Sequence, residues 1–142
     1  MTKKFIFIKF AILYLFLVVN SNAMQNESFD KGIKYFENNE FKKSKIYFER
    51  DLVFNPKNER SYLYLAKIYN NDEKINEEEV HLNNVLLLNP QNDEALYLLT
   101  LIKINQSDYN SAKDLIAKFS LVCESFCAKK NELEEKFNKL IP

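Results

Sequence analysis

Residues 61–90 decide the fold, and they read SYLYLAKIYNNDEKINEEEVHLNNVLLLNP. The first part carries apolar residues at the i, i+3, i+4, i+7 spacing of one helix face: Tyr62, Leu65, Ala66 and Tyr69. A polar turn follows at residues 70–74, and apolar residues return from Val80 to Leu88. Pro90 ends the second run, because proline lacks an N–H donor and restricts the residue before it. The stretch therefore predicts a helical hairpin, two helices joined by a short turn.

The same pattern recurs along the sequence at a constant repeat length, the repeat step, which equals the number of residues from Pro56 to Pro90. An asparagine precedes each of these prolines. The step also aligns the following apolar or small residues: Phe41 with Ile75 and Tyr109, Phe48 with Leu82 and Ile116, Tyr35 with Tyr69, and Gly32 with Ala66 and Thr100. Agreement at so many positions predicts three hairpins of one design. Asn58 and Asn92, just beyond the two prolines, are predicted to cap the helices that follow.

A degenerate 34-residue helix–turn–helix repeat with these small, aromatic and proline positions resembles the tetratricopeptide repeat (TPR). The resemblance covers about residues 25–124. It implies an all-α solenoid of TPR-type helical hairpins, within a single domain at residues 24–142. The implied repeats are at about residues 25–58, 59–92 and 93–126.

Residues 127–141 are predicted to form one further amphipathic helix. Its apolar stripe consists of Leu133, Phe137, Leu140 and Ile141. The last hairpin of a solenoid exposes an apolar face, so we expect this helix to cap that face. The alternative is an amphipathic tail that binds a partner.

Two places depart from the family pattern. Glu78 stands where alanine or serine is usual, because the two helices of a hairpin approach most closely there; Ser44 and Ala112 fit this place in the other repeats. Phe29 and Ile33 stand where some members carry the lysine and asparagine of a clamp for a C-terminal carboxylate. Binding of chaperone C-terminal tails through that clamp is therefore not expected.

The resemblance implies that the first helices of successive repeats line a concave groove, which commonly holds an extended or helical peptide. The inward-facing positions give the candidate binding residues: Phe29, Ile33, Arg60, Tyr64, Lys67, Asn71, Tyr97 and Leu101. Arg60 and Lys67 form a basic stripe that suits an acidic side chain or a chain end. Groove exposure is expected for Arg60, Tyr64, Lys67 and Tyr97, since long polar-tipped side chains are rarely fully buried. Core packing is expected for Phe36, Leu63 and Leu98.

Cys123 and Cys127 lie where the third repeat meets the predicted capping helix. In an oxidising compartment two nearby thiols tend to pair, so a structural disulfide is expected. A regular helix aligns the β-carbons of such a pair poorly, so pairing favours a bend at this place. Free thiols are the alternative. A redox motif or a zinc site has less support, because the spacer is not that of catalytic pairs and no further ligands stand nearby.

Residues 1–23 read as a secretory signal peptide. Lys3 and Lys4 form a basic start, an apolar run extends from Phe10 to Val19, and small residues surround a cleavage point at Ala23. The protein is therefore expected to be exported, with the bacterial periplasm as the expected location. The alternative is an uncleaved N-terminal segment that anchors the protein in the membrane. Membrane contact is expected only through this segment.

Composition excludes several classes of site. The chain has a single glycine and a single histidine, so it cannot build a glycine-rich phosphate loop or a zinc site with several histidines. The 20 acidic and 20 basic residues balance, but three of the bases precede residue 24, so the remainder is mildly acidic and unsuited to nucleic acid. His81 is expected to be solvated beside Glu77. No catalytic residue, metal or cofactor is expected, and the chain is not expected to be an enzyme.

The leading hypothesis is an exported adaptor or scaffold that holds a peptide or helix of an envelope protein in its groove. The alternative is a structural or oligomerisation module of a cell-envelope assembly, without a peptide ligand. The oligomeric state and the partner's identity stay open at this point.

Overall fold

The computed structural model describes residues 27–140, and of Leu140 it describes the backbone. The predicted signal peptide and Ile141 lie outside the described residues. All regular structure within 27–140 is helical. The α-helices are α1 (27–37), α2 (Phe41–Phe54), α3 (Glu59–Asn71), α4 (Ile75–Leu88), α5 (Asp93–Asn105), α6 (Tyr109–Val122) and α7 (Lys130–Leu140). A short 3-10 helix (Cys127–Lys129) precedes α7, and none of the described helices is long and apolar enough to cross a membrane.

The helix boundaries repeat with the period of the sequence. The step from Pro56 to Pro90 also separates the first residues of α2, α4 and α6, and it separates their last residues. The prediction of an all-α fold made of three hairpins and a C-terminal helix is confirmed. The described residues divide into two compact units: one that ends at Pro56 and contains α1 and α2, and one that begins at Lys57 and contains α3 to α7.

The turn inside each hairpin has the same backbone design. One residue in each turn adopts the left-handed conformation, and these residues follow the repeat step: Asn39 (φ 59°), Glu73 (φ 56°) and Ser107 (φ 59°). The next N–H donates to a carbonyl five positions earlier in every case, at 2.9 Å from Lys74 to Tyr69 in the middle turn. This bond belongs to the Schellman motif, in which glycine usually takes the left-handed position. A non-glycine residue costs about 1–2 kcal/mol there, so hairpin packing imposes the turn against local preference.

The predicted N-terminal caps are confirmed in the second unit. The Asn58 side chain accepts the backbone N–H of Arg60 at 3.2 Å, and the Asn92 side chain accepts that of Ala95 at 2.9 Å. Each asparagine satisfies one of the N–H groups that a helix start leaves without an intrahelical acceptor.

In the first unit, Gly32 lies where α1 and α2 approach most closely. A β-carbon at this position would lie 2.6 Å from Cε1 of Phe48, whose side chain is fully buried. The Ser44 hydroxyl donates to the Gly32 carbonyl at 2.9 Å across the same contact. The Phe48 ring therefore occupies the space that any larger residue at position 32 would need.

The core of the second unit is continuous from α3 to α7. Its buried residues include Leu63, Ala66, Leu82, Val85, Leu96, Leu99, Ile102, Leu115, Phe119 and Leu133. Leu133 of α7 is fully buried, and the Phe137 ring lies 6.4 Å from that of Tyr109. Helix α7 thus covers the apolar face left by α5 and α6, which confirms the capping helix and not the free amphipathic tail.

The chain bends between α6 and α7 at the two cysteines. Helix α6 ends at Val122, and the 3-10 helix begins at Cys127. The structure joins Cys123 and Cys127 as a disulfide, with sulfurs 2.18 Å apart and α-carbons 5.1 Å apart. The interruption of the helix supplies the bend that this pairing requires.

One carboxylate holds this bend against the start of α5. Oδ2 of Asp93 accepts the backbone N–H groups of Glu124, Ser125 and Phe126 at 2.8, 2.7 and 2.8 Å. Burial raises the pKa of Asp93, but these bonds together with the backbone bond of Glu94 outweigh burial and hold the pKa below its usual value. The charged form of Asp93 is therefore the one that stabilises the bend.

Replacement of Gly32 by leucine is expected to lower the free energy of unfolding by roughly 1–3 kcal/mol through overpacking against Phe48. Thermal and denaturant unfolding of the full-length protein measure this change. The double variant Gly32→Leu/Phe48→Ala should lose less than the sum of the two single changes, because the ring that clashes is gone. Additive losses would contradict the contact.

Replacement of Asp93 by alanine is expected to cost about 2 kcal/mol near neutral pH, because three backbone donors lose a charged acceptor. The folded pKa is lowered, so this stabilisation is fully present above the ordinary aspartate pKa of about 3.9 and is lost as pH falls through the folded value. Unfolding curves at several pH values measure the difference in the free energy of unfolding between the wild type and Asp93→Ala. Asp114→Ala, at an exposed position, is the control. If the difference between the wild type and Asp93→Ala does not become smaller in acid, the role of the charge is contradicted.

Candidate functional site

Four of the predicted binding residues lie on one face of α3. Arg60, Tyr64, Lys67 and Asn71 follow each other at steps of three and four positions, the spacing of a single helix face. Arg60 and Asn71 are exposed, and Tyr64 and Lys67 are half-buried. The other side of α3 packs into the core through Leu65, Ala66, Ile68 and Tyr69. The face formed by Arg60, Tyr64, Lys67 and Asn71 therefore stays at least partly accessible to solvent.

Lys67 links α3 to α5 on this face. Its Nζ lies 2.7 Å from Oε1 of Glu94 and 5.1 Å from the centre of the Tyr64 ring. Lys67, one of the two cations of the predicted basic stripe, is thus already paired with an acid of the same chain. The two charges stand far apart in the sequence, so only the way α3 and α5 pack could reveal the pair.

Tyr97 is buried, and its predicted groove exposure is wrong. Only 8% of the residue is exposed, and its ring centre lies 5.9 Å from that of Phe126 and 6.5 Å from that of Phe119. The hydroxyl donates to Glu132 of α7 at 3.1 Å. Burial, followed by the bond to Glu132, raises the pKa of Tyr97. The long polar-tipped side chain is buried because the capping helix supplies an acceptor for its hydroxyl.

Phe29 and Ile33 belong to the first unit, and both are half-buried. The Phe29 ring centre lies 5.7 Å from that of Phe48, so Phe29 contributes to the packing between α1 and α2. Their apolar character agrees with the absence of the lysine and asparagine clamp at these two places.

Leu101 lines a pocket of about 490 Å³ in the second unit. The lining comes from the end of α3, the α3–α4 turn, the start of α4 and one side of α5: Asn70, Glu73, Ile75, Glu78, Leu98, Leu101, Ile102, Asn105 and Gln106. Leu98, expected to pack in the core, is half-buried and forms part of this wall. The pocket is named the α4 pocket below, because its most buried polar group belongs to α4.

Glu78 is that buried group. It is 2% exposed, and the Asn70 side-chain amide donates to both of its carboxylate oxygens at 3.1 Å. Burial raises the pKa of Glu78, and the bond from Asn70 offsets only part of this effect. The sequence pattern marks Glu78 as an exception to the family but assigns it no role.

His81 is half-buried, whereas the sequence-based expectation was a solvated side chain beside Glu77. Its ring stacks on Tyr69, with centres 5.1 Å apart, and lies 5.9 Å from the Tyr62 ring. The contact forms because Tyr62 and Tyr69 share the face of α3 that turns toward α4. An aromatic setting therefore contributes to the position of this side chain.

No protein-family model matches the chain, and no curated protein matches it significantly. Solved structures do match. The TPR domain of Arabidopsis OM64 is similar with a TM-score of 0.75 at 14% identity, over 85% of this chain and 99% of that one. The C-terminal TPR-containing domain of a Plasmodium falciparum FK506-binding protein gives 0.71 at 21%, over 84% and 90%.

The second TPR domain of human RPAP3, solved with an HSP70 peptide, gives a TM-score of 0.68 at 16% identity, over 84% of this chain and 96% of that one. Identities this low establish the fold alone. The helical hairpins, their common period and these structural matches agree: the chain has the tetratricopeptide repeat fold.

Proposed function

We propose that the chain is a protein-interaction adaptor, and that the face of α3 and α5 in its second unit binds a peptide or helix of another protein. The observation that carries this proposal is the face of α3 formed by Arg60, Tyr64, Lys67 and Asn71, which the core leaves accessible. Accessible arginine and tyrosine side chains are the residue types enriched at interface hot spots.

The chemistry of this face suits a partner that carries both apolar and charged groups. Tyr64 offers contact area at a low cost in conformational entropy. Arg60 would receive a carboxylate of the partner. The Lys67–Glu94 pair, at 2.7 Å, presents a donor and an acceptor side by side. A partner would therefore be recognised by a pattern of charges and not by bulk positive potential.

Peptide binding by structural neighbours supports the proposal. The first TPR of Spaghetti is solved with the HSP90 peptide SRMEEVD, and the Yersinia enterocolitica type III secretion chaperone SycD with a peptide of the translocator YopD. The present chain has Phe29 and Ile33 in place of the clamp residues, so its partner would not be held by its C-terminal carboxylate in that way. A side-chain pattern is the proposed determinant instead.

The location is proposed from residues 1–23 alone. Their basic start, apolar run and small residues are typical of a signal peptide. The partner would then be an exported or envelope protein, met in the periplasm or at the membrane if the segment is retained. The alternative function is a structural module of an envelope assembly that holds no peptide.

Replacement of Arg60 by glutamate is expected to reduce partner capture roughly tenfold, because a cation on the proposed face becomes an anion. The measurement is quantitative mass spectrometry of proteins crosslinked to tagged full-length protein in its own cells. Lys113→Glu on α6 is the matched control, since it makes the same charge change at an exposed site of the second unit.

Equal recovery of every crosslinked protein by wild type, Arg60→Glu and Lys113→Glu would contradict the proposed face. It would favour the structural module without a peptide ligand.

A further inference from the structure

Glu78 is an acid at a place that small residues occupy in the other two repeats. The repeat step aligns Ser44, Glu78 and Ala112. All three are buried. The Ser44 hydroxyl is satisfied by the Gly32 carbonyl, and the alanine has no polar side-chain group to satisfy. Only the middle repeat places an ionisable group in this buried contact.

The carboxylate of Glu78 is under-satisfied in the free protein. Two carboxylate oxygens offer about four acceptor sites. Within residues 27–140, the Asn70 amide is the side chain that donates to it, and no basic side chain pairs with it. Glu78 lies in the first turn of α4, where the helix dipole favours a negative charge by about 0.3–1 kcal/mol. Burying an ion costs several kcal/mol, so the dipole does not replace a counter-ion.

The α4 pocket brings this acid together with an apolar wall. The described residues that line the pocket carry two carboxylates, Glu73 and Glu78, and no basic side chain. Lys103 of α5 lies beside the pocket but is already paired, because its Nζ contacts Glu79 at 2.6 Å and the lining residue Gln106 at 3.1 Å. The charge of the pocket therefore complements a cation.

The apolar wall decides what kind of cation fits. The apolar residues that line the pocket together with Glu78 are Ile75, Leu98, Leu101 and Ile102. A small hydrated ion gains nothing from such a wall, whereas lysine and arginine bury an apolar stem and carry the charge at its end. The volume of about 490 Å³ falls within the range of ligand pockets and leaves room for part of a neighbouring residue.

We propose that the α4 pocket receives a lysine or arginine side chain of the partner peptide, with the charged end paired to Glu78 and the stem against Leu98 and Leu101. This inference rests on the proposed function, because Leu101 belongs to the proposed binding face on α5. It names the chemistry of the partner: a basic residue whose apolar stem enters the pocket, and not an acidic tail.

The test begins with a random-peptide phage library selected on immobilised full-length protein. One selected peptide is synthesised with its basic residue and again with norleucine, which keeps the stem and removes the charge. Wild-type protein is expected to bind the basic peptide roughly 30-fold more tightly than the norleucine peptide, because the substitution leaves Glu78 buried without a counter-ion. Glu78→Gln is expected to bind the two peptides about equally.

Two further variants serve as controls, one for folding and one for the second carboxylate of the pocket. Glu78→Ala places the residue of position 112 at this site, so it should fold even if glutamine is not tolerated; melting temperature and circular dichroism check this, and it too should lose the preference. Glu73→Gln removes the exposed carboxylate of the pocket rim and should keep most of the preference.

The outcomes separate this inference from the proposed function. A preference that persists in both Glu78 variants overturns the inference. Selected peptides that depend on Arg60 but carry no basic residue also overturn it, while the proposed function stands. Failure to select any peptide counts against both.

Discussion

The close approach of the two helices in each hairpin is the constraint on which the rest of the structure depends. This approach limits the space for side chains at the positions where the two helices face each other. All of these positions are buried: Gly32, Ser44, Ala66, Glu78, Thr100 and Ala112. In the first hairpin the limit is direct, because the Phe48 ring would lie 2.6 Å from a β-carbon at position 32. The same spacing of helices forces a left-handed residue into every turn, even where that residue is Glu73.

This constraint also determines which surface is left for function. Once one side of α3 packs into the core, its other side presents Arg60, Tyr64, Lys67 and Asn71 beside α5. The end of α3 also contributes Asn70 to the α4 pocket, where Glu78 occupies a position that small residues take in the other repeats. Burying an acid with one amide partner costs desolvation energy, which the proposed cation of a bound partner would offset.

The parts of the fold that the sequence predicts well are those that depend on local sequence patterns. The hairpins follow from helical periodicity and proline, and the caps at Asn58 and Asn92 from their positions just before a helix. Contacts between distant segments could not be predicted in this way. The Lys67–Glu94 pair depends on how α3 and α5 pack, and the burial of Tyr97 depends on the path of α7. The hydrogen bonds from the bend to Asp93 join segments that are separated by the whole third hairpin, so no local sequence pattern indicates them.

The central claim is that the free protein holds Glu78 as a buried carboxylate without a counter-ion. Titration of its side-chain carboxyl carbon by NMR, assigned by the signal missing from Glu78→Gln, tests this claim most directly. Burial predicts a Glu78 pKa above the usual 4.5. A pKa at or below 4.5 would show that the group is solvated or already paired, and would contradict the account.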